Sequence, residues 1–427
     1  DIFHSVIPVC HLFQQLTYTN QLWDSIHFCT LKNSTHISTR VLNQFPIRHM
    51  IINSKQFSII QLMQMNDIHL LKSVTLCSIV IDYRHFINLM NRLTRVERLT
   101  LDKCKIINYF EPPIEPVHIS NPFTSLKFLE CKMLQGDYET KLKILQILVS
   151  RCRNVTSLTM IKNNALLLSE MIYDQFHPEM QLESLTLEEE HLFAQNVEYP
   201  HRLDQFFARH CSLRLKKLAL FNCRHRFDTL LSQCSHTLEH LIVVSGFWNA
   251  PLNELPYPVL PRLVRLVMIS CHIQVVQRIL SDCVISDSML QIKLSGPPRN
   301  HVCQVRRDLQ LKRLKSLKSH HVLPLSTLIQ IVKSCENSLQ CLEFAFAKRT
   351  ALPWSLWHSI APSLSQSLIH LSMDNVRFDD QWWLLKLLRD LKRLETLRIE
   401  TATSTSTETD SLSSSSSISS SSCDTLP

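Results

Sequence analysis

The sequence predicts an α/β solenoid: short parallel strands stacked into one sheet, with helices behind it. Three observations lead there. One apolar pattern recurs along most of the 427 residues, segments of helical spacing separate its copies, and the only glycines are Gly136, Gly246 and Gly296. Length alone allows two or three ordinary domains or one long array, and the internal repeat favours the array. Apolar residues make up 45% of the chain and charged residues 19%, which excludes wholesale disorder. Three scattered glycines cannot build the Gly-rich loops that cradle phosphates, so most nucleotide-binding enzymes are excluded.

The recurring pattern is apolar, two variable, apolar, one variable, apolar. It is weak at first, as Trp23/Ile26/Phe28, Ile47/Met50/Ile52 and Leu71/Val74/Leu76. It then runs through Val96/Leu99/Leu101, Leu126/Leu129/Cys131, Val155/Leu158/Met160, Leu182/Leu185/Leu187 and Leu215/Leu218/Leu220. Further copies are Leu238/Leu241/Val243, Leu263/Leu266/Met268, Met289/Ile292/Leu294 and Leu314/Leu317. The last are Leu339/Leu342/Phe344, Leu368/Leu371/Met373 and Leu394/Leu397/Ile399, giving twelve steps of about 27 residues from Leu71 to Leu394. The alternating part of each copy suits a strand, whose successive side chains point to opposite faces.

Between the strands, helical spacing appears in Leu142/Leu145/Leu148, in Phe206 and Phe207 with His210, and in Leu230/Leu231/Cys234. It recurs in Val276/Ile279/Leu280, Leu328/Ile331/Val332/Cys335 and Leu384/Leu387/Leu388, and Trp382 with Trp383 is expected to help close the last helix. One strand plus one helix per copy predicts a horseshoe with a parallel inner sheet and outer helices. A single copy buries too few apolar side chains to repay its ordering entropy, so neighbours must supply the rest of the core.

Cysteines punctuate the copies at two places. Cys104, Cys223 and Cys271 follow strands, Asn163 closes another copy, and Cys152, Cys211, Cys234, Cys283 and Cys335 end helices. The pattern resembles the leucine-rich repeat of the cysteine-containing type, in which a cysteine or asparagine closes the strand motif and a second cysteine ends the outer helix. Small thiols fit such tight turns without leaving a demanding polar group unpaired. Fifteen cysteines in a chain of this length read as reduced and buried, with no closely spaced C-x-x-C pair to hold a metal.

The first 23 residues carry Val9, Cys10, Phe13, Leu16, Leu22 and Trp23, a short amphipathic segment feeding the array. Read by itself, the segment also fits a cap that closes the exposed end of a solenoid. Its spacing resembles the C-terminal half of an F-box, with Phe13 where the family usually has Trp. The Leu-Pro segment and first helix of the box would lie upstream of Asp1. The resemblance implies that Val9, Cys10, Phe13 and Leu16 dock on a Skp-type adaptor of an SCF-type cullin ubiquitin ligase, while the repeats hold a protein substrate. It thus implies a non-catalytic substrate adaptor rather than an enzyme. A leucine-rich-repeat scaffold with no link to ubiquitin stays open beside it.

Within each copy the third, fifth and seventh positions face away from the buried ones. Most are polar, as in Arg98/Thr100/Asp102, Ser184/Thr186/Glu188 and His370/Ser372/Asp374. Three consecutive copies instead present Ala219 with Phe221, Ile242 with Val244 and Val267 with Ile269, beside a basic row of Lys217, His240 and Arg265. These nine residues form the expected partner-binding patch on the concave wall, because monomers seldom leave a contiguous apolar patch uncovered; a loop or the tail lying over the patch, or a register one residue off in these copies, stays open beside it.

The remaining features point to no chemistry. Arg306, Arg307, Lys312, Arg313, Lys315 and Lys318 read as a solvated charged face without interleaved aromatics, so nucleic acid is not an expected partner. His320 and His321 should point opposite ways on a strand, and alternation should split Glu188, Glu189 and Glu190 between faces. No cofactor or metal is expected. The net charge is +8, from 45 Lys and Arg against 37 Asp and Glu, which favours encounter with acidic partners. No run is long and apolar enough for a membrane helix, so the expected setting is cytoplasmic or nuclear. Residues 24–400 are the predicted solenoid, and residues 401–427, nearly all Ser and Thr, a disordered tail.

Overall fold

The computed structural model describes residues 25–29, 47–53, 59–107, 124–151, 153–163, 181–189, 214–222, 228–245, 258–271, 273–280, 288–296, 310–335, 337–378 and 382–400. Its first strands are β1 (Ser25–Cys29), β2 (His49–Asn53), β3 (Ser73–Cys77), β4 (Val80–Asp82), β5 (Arg98–Asp102) and β6 (Lys105–Ile107). Then come β7 (Phe128–Lys132), β8 (Ser157–Asn163), β9 (Ser184–Glu189), β10 (Lys217–Phe221), β11 (His240–Val244) and β12 (Arg265–Ile269). The last are β13 (Gln291–Ser295), β14 (Ser316–His320), β15 (Cys341–Leu352), β16 (His370–Phe378) and β17 (Thr396–Glu400). All but β4 and β6 join one 15-stranded parallel sheet in which each strand pairs with the next in sequence. That order is what a solenoid-like repeat requires, and the coarse α/β expectation holds.

Stacking is in phase from rung to rung. Lys217 pairs with His240, His240 with Arg265, Arg265 with Gln291 and Gln291 with Ser316, strand start against strand start. A backbone device repeats with it: one carbonyl just before a strand accepts from two successive N–H groups of the following rung. Glu239 and His240 donate to the Lys216 carbonyl at 2.8 Å each, and Val264 and Arg265 donate to that of Glu239 at 2.8 and 3.0 Å. Along the array the polar backbone is thereby satisfied between copies rather than within them. The register slips between Met160 and Asn163 on β8 and between Ala345 and Thr350 on β15.

The apolar triplets supply the core. From Ile47/Met50/Ile52 to Leu368/Leu371/Met373 their members are buried. In the copy that begins with Leu314 and Leu317, the third place is filled by Ser319, also buried. Leu394, Leu397 and Ile399 on the last rung are only half-buried, as no described strand lies beyond β17. Of the first copy, β1 carries Ile26 and Phe28, while Trp23 lies outside the described residues.

Helices close the other side of this core: α1 (Ile59–Met63), α2 (Tyr83–Arg92), α3 (Tyr138–Arg151), α4 (Asp228–Cys234), α5 (Ile273–Arg278), α6 (Leu325–Lys333), α7 (Trp354–Leu364) and α8 (Trp383–Asp390). Asp82 caps α2, its carboxylate accepting from the Arg84 N–H at 2.9 Å. At α3, Asp137 accepts from the Thr140 N–H at 2.8 Å. Burial of Asp137 would raise its pKa, yet the bonds from Thr140 outweigh that and hold it low. Leu145 and Leu148, Leu230 and Leu231, Ile279 and Leu280, and Leu328, Ile331 and Val332 are buried as the spacing predicts. The last helix differs: α8 buries Trp383 and Leu387 and leaves Leu388 exposed. Trp383 stacks on Phe378 with ring centroids 4.2 Å apart and packs beside Trp357 at 5.3 Å. Phe206, Phe207 and His210 fall outside the described residues.

β4 and β6 pair in parallel as a second, two-stranded sheet where the chain leaves β3 and β5, and Gln135 adds a bridge to Lys105. Gly136 follows with φ of +134°, and a Cβ there would sit 2.6 Å from the Ile106 carbonyl oxygen. Glycine is required by both conformation and contact. No described helix is long and apolar enough to cross a membrane.

Candidate protein-interaction face

Opposite the core, each strand presents the third, fifth and seventh positions of its copy, and parallel in-phase pairing lines them into three rows. In the stretch from β9 to β14 the first row reads Ser184, Lys217, His240, Arg265, Gln291, Ser316. The second reads Thr186, Ala219, Ile242, Val267, Lys293, Lys318, and the third Glu188, Phe221, Val244, Ile269, Ser295, His320. The six apolar residues expected on this face are therefore laterally contiguous on β10, β11 and β12, and Lys217, His240 and Arg265 stand along one edge.

Their exposure is uneven, which corrects one expectation. Phe221, Ile242, Val244 and Ile269 are half-buried, but Ala219 and Val267 keep only 2% and 5% of their surface accessible. Ala219 lies low between the longer Thr186 and Ile242, and Val267 stands between Ile242 and Lys293. Side chains about 4.8 Å apart in such a row shelter one another. Ala219 and Val267 are thus the foundation of a floor whose contact surface is Phe221, Ile242, Val244 and Ile269. Thr100 on β5 is likewise buried on this face.

The frame around the floor is charged. Lys217 and Arg265 are exposed and Lys293 is half-buried. Burial lowers the pKa of His240; Arg265 and Lys217 lower it further, while Glu239 works against them. On the β9 side Glu188 accepts from Asn222 Nδ2 at 3.4 Å. Lys216 and Glu183, one residue before the β10 and β9 strands, pair at 3.0 Å.

Two further side-chain groups on this face were not singled out from the sequence. On β14 and β15, Glu343 is held from both sides, by Lys318 at 2.6 Å and His320 at 2.8 Å. Burial would raise the Glu343 pKa, but Lys318 and His320 together hold it low, and Glu343 raises that of Lys318. On β5 and β7 the Arg98 guanidinium lies 4.5 Å from the ring centre of the exposed Phe128. Beside it Lys132 pairs with Glu130 at 2.8 Å. The available signal was the alignment of copies: residues at one position of successive copies become lateral neighbours.

Several expected features sit elsewhere. His320 ends β14, but His321 has φ of +62° and belongs to the turn, not to a strand. Glu188 lies on the open face and Glu189 still belongs to β9, whereas Glu190 lies outside the described residues. So do Val9, Cys10, Phe13 and Leu16, Cys152, Cys211, Cys223 and Cys283, Arg306 and Arg307, and residues 401–427. Cys104 and Cys271 occupy the same place after their strands, and each thiol donates to the carbonyl 28 residues earlier, on Leu76 at 3.1 Å and on Val243 at 3.4 Å. Cys234 and Cys335 are buried at helix ends. Burial pushes the Cys104, Cys234 and Cys335 thiols up to about 12, so they are poor nucleophiles and poor metal ligands. Among the described residues no group of three His, Cys, Asp or Glu side chains converges on a possible metal position. What the face offers chemically is an apolar floor inside a charged frame, suited to gripping another molecule. Compared with known protein families and with curated proteins, the chain matches none.

Proposed function

We propose that this chain is a non-catalytic, substrate-recruiting subunit of an SCF-type cullin ubiquitin ligase. In this reading residues 24–400 are a leucine-rich-repeat solenoid that holds a protein substrate on the open face of its sheet. Val9, Cys10, Phe13 and Leu16 belong to an F-box that docks the Skp-type adaptor. The observation that carries the binding half is the in-phase sheet with four half-buried apolar side chains on three adjacent strands, away from the core. The recurrence of Cys104 and Cys271 at one place, each bonded to the preceding rung, supports the cysteine-containing repeat type. The spacing of Val9, Cys10, Phe13 and Leu16 supports the F-box half.

Affinity purification followed by mass spectrometry tests the assignment. The adaptor and cullin are expected to co-purify with the wild-type chain and to be lost when Val9, Cys10, Phe13 and Leu16 are all changed to Ala. Wild-type material that brings down other proteins but neither adaptor nor cullin would leave the chain a repeat scaffold without a ligase.

A further inference from the structure

The floor on β10–β12 has a frame of one predominant sign, and that sign selects the partner. Lys217 and Arg265 project along its first-row edge, and Lys293 borders it on β13 next to Val267. Among the described residues none of these three takes part in an ion pair, whereas Lys216, Lys318 and Lys132 each have a carboxylate within 3.0 Å. Cations left unpaired beside an apolar surface are matched most simply by carboxylates on whatever covers it. Glu188 stands at the opposite corner beside Phe221, and Glu239, one residue before β11, acts on His240 at the near edge.

We propose that the open face of β10–β12 binds an acidic, amphipathic segment of another protein. Two or three of its apolar side chains cover Phe221, Ile242, Val244 and Ile269, and its carboxylates pair with Lys217, Arg265 and Lys293. The proposal rests on the reading of this face as a protein-binding surface and adds the chemical class of the bound segment. The dimensions agree. Three strands span roughly 10 to 14 Å, the reach of about four extended residues, and Lys217 and Arg265, two strands apart, stand roughly 10 Å from one another. Carboxylates two or four residues apart in an extended segment share one side of it and, at roughly 7 or 13 Å, bracket that distance within the reach of the Lys and Arg stems, while the intervening side chains turn to the floor. Glu188 sets the direction, since the acidic side of the segment must lie toward the strand starts.

Selection of displayed random 12-residue peptides on the immobilised full chain tests this. The expected winners combine several large apolar residues with net negative charge. Their affinity, measured by fluorescence polarisation, should fall at least about tenfold in the double variant Lys217→Glu, Arg265→Glu and between 50 and 500 mM salt. Both substituted residues are exposed, so the fold is not at risk. Peptides that are neutral or basic, or that bind the double variant as well as wild type, would overturn the acidic assignment. If those same peptides are lost on Ile242→Asp, the face is still a binding surface. Peptides indifferent to Ile242→Asp, or none selected at all, would remove the binding reading together with the acidic one.

Discussion

At Ser78, Lys103, Met133, Asn222, Ser245, Ser270 and His321 the backbone is left-handed, with φ between +49° and +62°. Each directly follows a strand of the main sheet, and its N–H donates to a carbonyl of the next strand: Ser78 to the Asp102 carbonyl at 2.8 Å, Asn222 to Val244 at 2.8 Å, Ser245 to Ile269 at 2.7 Å. A residue with a side chain loses about 1 kcal/mol or more in this conformation unless it is Gly or Asn. The array accepts that cost at successive rungs because the turned N–H is the bond that locks one rung to the next. Ser245→Gly and Ser270→Gly should therefore stabilise by about 0.5 to 1 kcal/mol, and Asn222→Gly by no more than a few tenths. Urea titrations read this as raised midpoints at unchanged slope. Equal shifts at all three positions would contradict the account. The turns were only weakly legible in the sequence, since Lys103, Met133 and His321 carry no turn signal and isolated Ser or Asn residues occur throughout the chain, whereas Cys104 and Cys271 one residue later did mark their places.

Strands and helices differed in how far their pattern could be read. In the strands the alternation of Leu185 and Leu187 with Ser184, Thr186 and Glu188 leaves one choice of face, and Leu185 and Leu187 are buried as that choice requires. In α8 the run Trp382, Trp383, Leu384, Leu385, Leu387, Leu388 is apolar on nearly every side, so spacing alone did not settle which stripe faces the core. Packing settled it. Trp383 fills the space between Phe378 and Trp357, while Trp382 and Leu385 remain 58% exposed. Trp383→Ala should cost about 3 to 5 kcal/mol through the cavity it leaves, and Leu388→Ala under about 0.5 kcal/mol. Comparable losses on thermal or chemical unfolding would mean that the helix is phased differently.

Across the whole molecule each rung is completed by the next, so stability should be uneven along the array. Inner strands such as β11 and β12 are paired on both sides over fully buried triplets, while β17 has one described neighbour and half-buried Leu394, Leu397 and Ile399. Amide hydrogen exchange should run at least about tenfold faster in β17 than in β11 and β12. Uniform protection across the sheet would show that something seals the last rung. For the described rungs, the sequence by itself determined where each begins and which of its side chains point inward. Those properties repeat within a few residues, and alternation along a strand is local. Alignment of the copies names candidate lateral neighbours, and only the tertiary structure decided which of them make contact and how deep each one sits. Successive strands start between 23 residues apart, from Lys217 to His240, and 33 apart, from Ser184 to Lys217, so no fixed offset in the chain names lateral neighbours. Stacking of the buried triplets, with the backbone bonds it brings into line, places Glu343 between Lys318 and His320, lays Arg98 over Phe128 and sinks Ala219 and Val267 beneath the floor of the open face.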